Sequence, residues 1–169
     1  NDSLVYLNLL AEYFKSGQYN QCYQLGKKLD KVYRNEITVL DLYARSAELT
    51  GRYSECIILY DKLYALTGDC YYAYMCAHAQ LSLTRLKEGL ERVQKLLSVE
   101  DCTRRYVTIE DSEHRAQEVP VMAALYNLAG AFYELDGNTV KALEMYQSAV
   151  TLLPEFAVAK NNLTRLVPK

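Results

Sequence analysis

The chain has 169 residues, half of them hydrophobic and 24% charged, with a net charge of −2. A chain of that length builds one domain with a sizeable core, and so small a charge gives no electrostatic case for nucleic acid or an anionic membrane. No apolar run approaches the roughly 20 residues needed to span a bilayer, and seven Gly, three Pro and no low-complexity tract argue against disorder.

In chain order, the first predicted elements are two amphipathic helices joined at Gly17, followed by a second such pair joined at Gly51, 34 residues on. Each Gly is followed two residues later by a tyrosine, Tyr19 or Tyr53, and then by Asn20 or Ser54, residue types that open helices as N-caps. Cys22 and Cys56 come next, in phase with Gly89 and Ala142 further along. All four are small, and a small residue lets the two helices of a hairpin approach closely. Ala44, Ala77 and Ala129 share a second small position in the first helices, and the second helices carry Leu29, Leu63, Leu96 and Ala149 seven residues beyond their small site. A period near 34 residues marks stacked helical hairpins, none of which buries its apolar face alone.

The period is interrupted over residues 103–121. Arg104-Arg105-Tyr106-Val107-Thr108-Ile109-Glu110 is β-branched and aromatic, Asp111–His114 is turn-like, and Gln117–Val121 returns as a second strand, which reads as a β-hairpin leaning on its neighbours. A short helix over 113–118 capped by Ser112, or a loop, are the alternatives. The last hairpin follows, closed by Pro154, and residues 156–167 carry the apolar spacing of a helix that caps the stack.

These residues resemble the tetratricopeptide repeat family, a helix–turn–helix unit of 34 residues with small residues at fixed contacts and a closing Pro. The resemblance implies an all-α, right-handed helical-hairpin solenoid in one domain: repeats at about 3–36, 37–69, 70–102 and 122–155, an insertion at 103–121 and a capping helix at 156–167. The departures are Leu10 at a small position, Gly26 where a ring packs, Gln80 at an aromatic position, Thr84 in place of the turn Gly, and one extra residue in the turn at Asp136-Gly137-Asn138.

In such a stack the first helices line a concave groove. By phase it takes Leu7, Ala11 and Phe14 from the first repeat and Asp41, Arg45 and Glu48 from the second. The third offers Tyr71, Tyr74 and an exposed His78, and the fourth Tyr126, Gly130, Tyr133 and Glu134. Tyrosines combine large contact area with a polar tip, although Tyr at helical spacing also builds cores, as expected of Tyr43, Tyr60 and Tyr146. Some family members hold a partner's C-terminal carboxylate with Lys and Asn in this groove. The matching positions here are Leu7, Ala11, Leu42, Tyr71 and Met75, so that clamp is absent and an apolar or aromatic peptide or a partner helix fits better. Arg104, Arg105 and Tyr106 form a second candidate surface on the insertion.

The implied function is a non-catalytic protein–protein interaction module with a protein or peptide partner and no cofactor, metal, nucleic acid or membrane insertion. The alternative is a scaffold piece that self-associates as a homo-oligomer through the insertion or its ends, for instance Leu163, Leu166 and Val167. Two histidines, His78 and His114, lack metal-ligand spacing, and no phosphate loop or nucleophile motif is present. Five cysteines, an odd number without a Cys-x-x-Cys pair, exclude a fully paired scaffold, and reduced thiols are the simpler reading. Cys22 and Cys56 read as inert packing residues, which leaves Cys70 and Cys102 as candidates for a reactive thiol. The chain starts at Asn1, so a removed signal peptide would leave no trace, and cytoplasm and periplasm both remain open.

Overall fold

The computed structural model describes residues 2–167. The chain divides into two compact units, Asn1–Gly68 and Asp69–Lys169. The first unit holds two helical hairpins, α1 (Asp2–Lys15) with α2 (Tyr19–Val32) and α3 (Ile37–Leu49) with α4 (Tyr53–Thr67). Leu10, Cys22, Leu29 and Val39 form a buried cluster, with Leu7, Phe14, Tyr33 and Leu42 packed against it. Gly26 explains its departure from a ring: a Cβ there would lie 2.8 Å from the Cβ of Tyr43, so α2 meets α3 at this point and Tyr43 fills the space. Beside that contact Glu55 accepts hydrogen bonds from the hydroxyls of Tyr23 (2.6 Å) and Tyr43 and from the Lys27 ammonium (3.1 Å). Burial raises the Glu55 pKa, but these donors outweigh it and hold the carboxyl below its ordinary value.

The second unit begins with the hairpin of α5 (Cys70–Ser82) and α6 (Leu86–Leu96), then a 3-10 turn at Glu100–Arg104. Strands β1 (Tyr106–Glu110) and β2 (Ala116–Pro120) follow as an antiparallel pair, then α7 (Val121–Leu135), α8 (Thr139–Leu152) and α9 (Ala157–Leu166). The insertion is therefore the β-hairpin, and the alternative helix over 113–118 is overturned. Its three-residue loop, Ser112-Glu113-His114, puts His114 in the left-handed region at φ +58°. Asp111 closes the loop, its carboxylate accepting the N–H groups of Glu113 (2.8 Å) and Arg115 (3.0 Å). The hairpin is anchored through buried Val107 and Val119. Gln117 adds a polar anchor, bonding the Glu155 carbonyl (3.0 Å) and accepting from the first N–H of α9 (3.2 Å).

Cys70 and Cys102 correct the reduced-thiol reading: they form a disulfide with Cα atoms 5.4 Å apart. Their separation of 32 residues is close to one repeat. After one hairpin the chain returns beside the residue where that hairpin began, and periodicity alone does not say which pair of side chains then meets. Cys22, Cys56 and Cys76 are buried and outside the disulfide.

The turns also correct two local expectations. Gly17, Gly51, Thr84 and Gly137 all have positive φ, and a second helix starts two residues after each. In every turn this residue's N–H bonds the carbonyl three residues back, and the next N–H bonds the carbonyl five back. That second bond fixes the entry into α2 and α4, which start at Tyr19 and Tyr53 with no side-chain cap, so Asn20 and Ser54 lie inside their helices. The fourth turn has the same length as the others and carries no extra residue. Counted from it, Gly130 rather than Ala129 stands where Ala44 and Ala77 stand. A Cβ on Gly130 would lie 2.5 Å from the Tyr146 ring. Within the same register Tyr60 donates to Glu48 (2.7 Å) and Tyr146 to Glu134 (2.9 Å), one latch used in two hairpins. Gln80, set at an aromatic position, is buried and accepts from Arg92 of α6 at 3.1 Å.

Candidate interaction surfaces

In the first unit the structure brings Phe14, Asp41 and Arg45 together. The Arg45 guanidinium lies 4.4 Å from the Phe14 ring centre and 3.6 Å from the Asp41 carboxylate one helical turn away. Glu48 is half-buried and engaged by Tyr60. Around the start of α3, Leu7, Tyr33, Arg34, Asn35 and Glu36 line an open hollow of about 370 Å³.

In the second unit His78 is exposed as expected, but Tyr74 is only 6% exposed. The exposed-ring expectation therefore fails at Tyr74, which stands across a cleft from the inserted hairpin. Tyr74, Met75 and His78 form one wall of a cleft of about 210 Å³, and Val107, Thr108, Ile109 and Glu110 of β1 form the other. Tyr71 is half-buried at the edge of this region, with Arg105 5.3 Å from its ring centre. Arg105 is held by Asp69 (2.9 and 3.2 Å), which raises its pKa further. Arg104 pairs with Glu100 at 3.3 Å, and Tyr106 is 53% exposed at the start of β1.

The corrected register redistributes the residues of α7, because a one-residue shift turns a helix by about 100°. Positions equivalent to Asp41, Arg45 and Glu48 are Asn127, Ala131 and Glu134. Two of them meet α9: Asn162 donates to Asn127 (3.0 Å), and Arg165 grips Glu134 with two bonds of 2.6 and 2.8 Å. Arg165, joined by the Tyr146 hydroxyl, holds the Glu134 carboxyl below its ordinary pKa against the opposing effect of burial. Tyr133 turns toward the second helices, its hydroxyl accepting from Gln94 of α6 at 3.2 Å and its ring centre 5.2 Å from the Lys141 ammonium. Tyr126 is half-buried. Sequence reasoning missed Asn127 and the β1 wall of the cleft. Counting back from Gly137 by the spacing of the earlier turns would have found the first, and nothing in the local pattern gave the second.

Two of the remaining thiols are held toward their protonated form. Burial raises the pKa of Cys22 and pushes Cys56 up to about 12, where nearby Glu48 adds to the effect. Among the described residues no group of three His, Cys, Asp or Glu side chains is placed to share a metal ion. None of the described helices is long and apolar enough to cross a membrane.

Four hairpins with matching turns, small contact residues and a terminal helix define an all-α helical-repeat fold of the tetratricopeptide type. No family model matches the sequence, and no curated protein matches it. Among solved structures the chain is similar to MamA from Desulfovibrio magneticus RS-1, with a TM-score of 0.75 and 18% identity, over 98% of this chain and 84% of that one. It is also similar to a chain of the APC/C hetero-tetramer Cut9–Hcn1, with a TM-score of 0.72 and 18% identity, over 96% of this chain and 29% of that one. Both are tetratricopeptide-repeat proteins, and at these identities the likeness establishes the fold.

Proposed function

We propose that the chain is a non-catalytic protein-interaction module that holds a peptide or partner helix on the exposed faces of its first helices. In the second unit the contact is made in the cleft between α5 and β1. The observation that carries this reading is the cleft itself, a preformed concavity where an aromatic ring, a methionine and an isoleucine sit beside a few polar groups. Such a lining suits a short peptide better than a flat surface would. The Cut9–Hcn1 hetero-tetramer is a protein complex, and one of its chains carries a similar fold over 29% of its length.

The test is quantitative co-purification from native extract with the parent and a Met75→Ala/His78→Ala/Ile109→Ala variant, both checked for helicity by circular dichroism. A partner retained by the parent and lost by the folded variant supports the reading. Equal retention of every partner by both proteins overturns it. Self-association is the second reading, favoured by the exposure of Leu4, Val5 and Leu9 along α1. Light scattering across a dilution series separates the two, because only self-association raises the mass of the isolated chain.

A further inference from the structure

We infer that the outer edge of β1 is a strand acceptor: an extended peptide segment carrying a Lys or Arg adds to it as a third strand, seated in the cleft beside α5. This rests on reading the cleft as an interaction site and names the shape and chemistry of what enters it.

The ladder settles which backbone groups are available. Asp111 N–H bonds the Arg115 carbonyl at 3.1 Å at one end of the hairpin, and Val121 N–H bonds the Arg105 carbonyl at 2.8 Å at the other. Between them Val107 faces Val119 and Ile109 faces Gln117. Hydrogen-bonded pairs alternate along an antiparallel ladder, so the odd-numbered residues of β1 bond β2. Tyr106, Thr108 and Glu110 therefore direct N–H and C=O away from it. Among the described residues no backbone hydrogen bond from outside the hairpin reaches these three. The two edges of the sheet differ. The outward positions of β2 are Ala116, Glu118 and Pro120, and the proline has no donor to offer.

The cleft lies along the available edge. Side chains of a strand alternate between its faces, yet the wall is four consecutive residues, Val107 to Glu110. The strand thus meets the cleft edge-on, with its backbone presented to the space that Tyr74, Met75 and His78 close from the other side. An incoming strand makes main-chain bonds there and sets alternate side chains against Met75 and Ile109.

Charge selects among such strands. Among the described residues Glu110, on the cleft rim, has only the imidazole of His114 at 3.7 Å, and Glu118 receives only the Thr108 hydroxyl. The arginines of the insertion are committed elsewhere: Arg104 to Glu100, Arg105 to Asp69, and Arg115 to Asp111 and Glu113. The face that carries Thr108 and Glu110 is left with carboxylates that no Lys or Arg of the described chain reaches; a cation on an added strand stands directly opposite Glu110, and its long side chain extends across β1 toward Glu118 of β2.

The test uses the full chain labelled with nitrogen-15 and three blocked hexapeptides. One is Thr-Val-Lys-Val-Thr-Val, the second replaces its Lys by Glu, and the third carries N-methyl groups on alternate amides. With the Lys peptide, the amides of Tyr106, Thr108 and Glu110 should gain protection from exchange, while those of Val107 and Ile109, already in the ladder, stay unchanged. The Glu peptide should bind roughly threefold to tenfold more weakly, and the N-methylated one should lose binding. A Glu110→Gln/Glu118→Gln variant should keep the protection and lose the discrimination between Lys and Glu.

Absence of protection with every peptide would mean that the carboxylates only guard the edge, and would overturn the proposal. Equal binding of the N-methylated peptide, or protection that rises with protein concentration alone and so reports a second copy, would overturn it too. Peptide-induced shifts confined to the first helices would remove the added strand and leave the interaction reading standing. A retained partner in the cleft-variant co-purification, alongside intact edge protection, would do the reverse.

Discussion

At the scale of single residues, the fourth repeat turns on which small residue meets its partner helix. Ala129 and Gly130 are adjacent and both buried, but only Gly130 has the Tyr146 ring where its Cβ would be. Gly130→Ala forces that ring to move and should cost about 1–3 kcal/mol in urea unfolding. Thr84→Gly should move stability the other way. Thr84 holds φ +54° where three other turns use glycine, a conformation that a β-branched residue adopts at a cost. Relieving it should gain up to about 1 kcal/mol, net of the greater freedom glycine gives the unfolded chain. A Gly130→Ala variant as stable as the parent would return the register to Ala129. Three of the four turns were legible as glycines. The fourth-repeat register was misread because a small residue occurs at two successive positions, and only the place of the ring tells them apart.

At the scale of elements, the hairpin and the last helix are held by contacts that cross long stretches of sequence. Gln117 ties β2 to the start of α9, and Arg165 ties the end of α9 to Glu134 of α7. The ion pair gives α9 a pH dependence whose sign is fixed. The Glu134 carboxyl is held below its ordinary value near 4.5. The unfolded chain therefore binds a proton more readily than the folded one, and the stabilisation is complete above that value and lost as pH falls below it. Urea midpoints should show Glu134→Gln less stable than the parent at pH 7, with the gap closing toward pH 3. A gap independent of pH would mean that the pair contributes packing rather than charge. The strands themselves were legible, since β-branched runs flank a polar turn. Where the hairpin folds back was not, and that decides the existence of the cleft.

At the scale of the whole molecule, the disulfide bears most directly on stability and setting. It closes a loop with a sequence separation of 32 residues within the second unit. Such a link stabilises by about 2–4 kcal/mol, chiefly by restricting the unfolded chain. Reductant should lower the urea midpoint accordingly and raise the thiols titrated in denaturant from three to five, since Cys22, Cys56 and Cys76 stand outside the disulfide. Five thiols without reductant would show that the bond does not form. As a general rule such bonds persist in oxidising compartments; the odd cysteine count had excluded only a fully paired scaffold.

The sequence by itself determined the helical-repeat fold, the turn positions, the buried tyrosines Tyr43, Tyr60 and Tyr146 and the break at the insertion. Each of these follows from local periodicity and from the small residues that helix contacts require. Only the tertiary structure decided the Cys70–Cys102 bond, the α9 contacts on Asn127 and Glu134, and the edge of β1 set beside α5. Those depend on where distant segments meet, and a meeting across 30 residues or more leaves no periodic mark on the residues that make it.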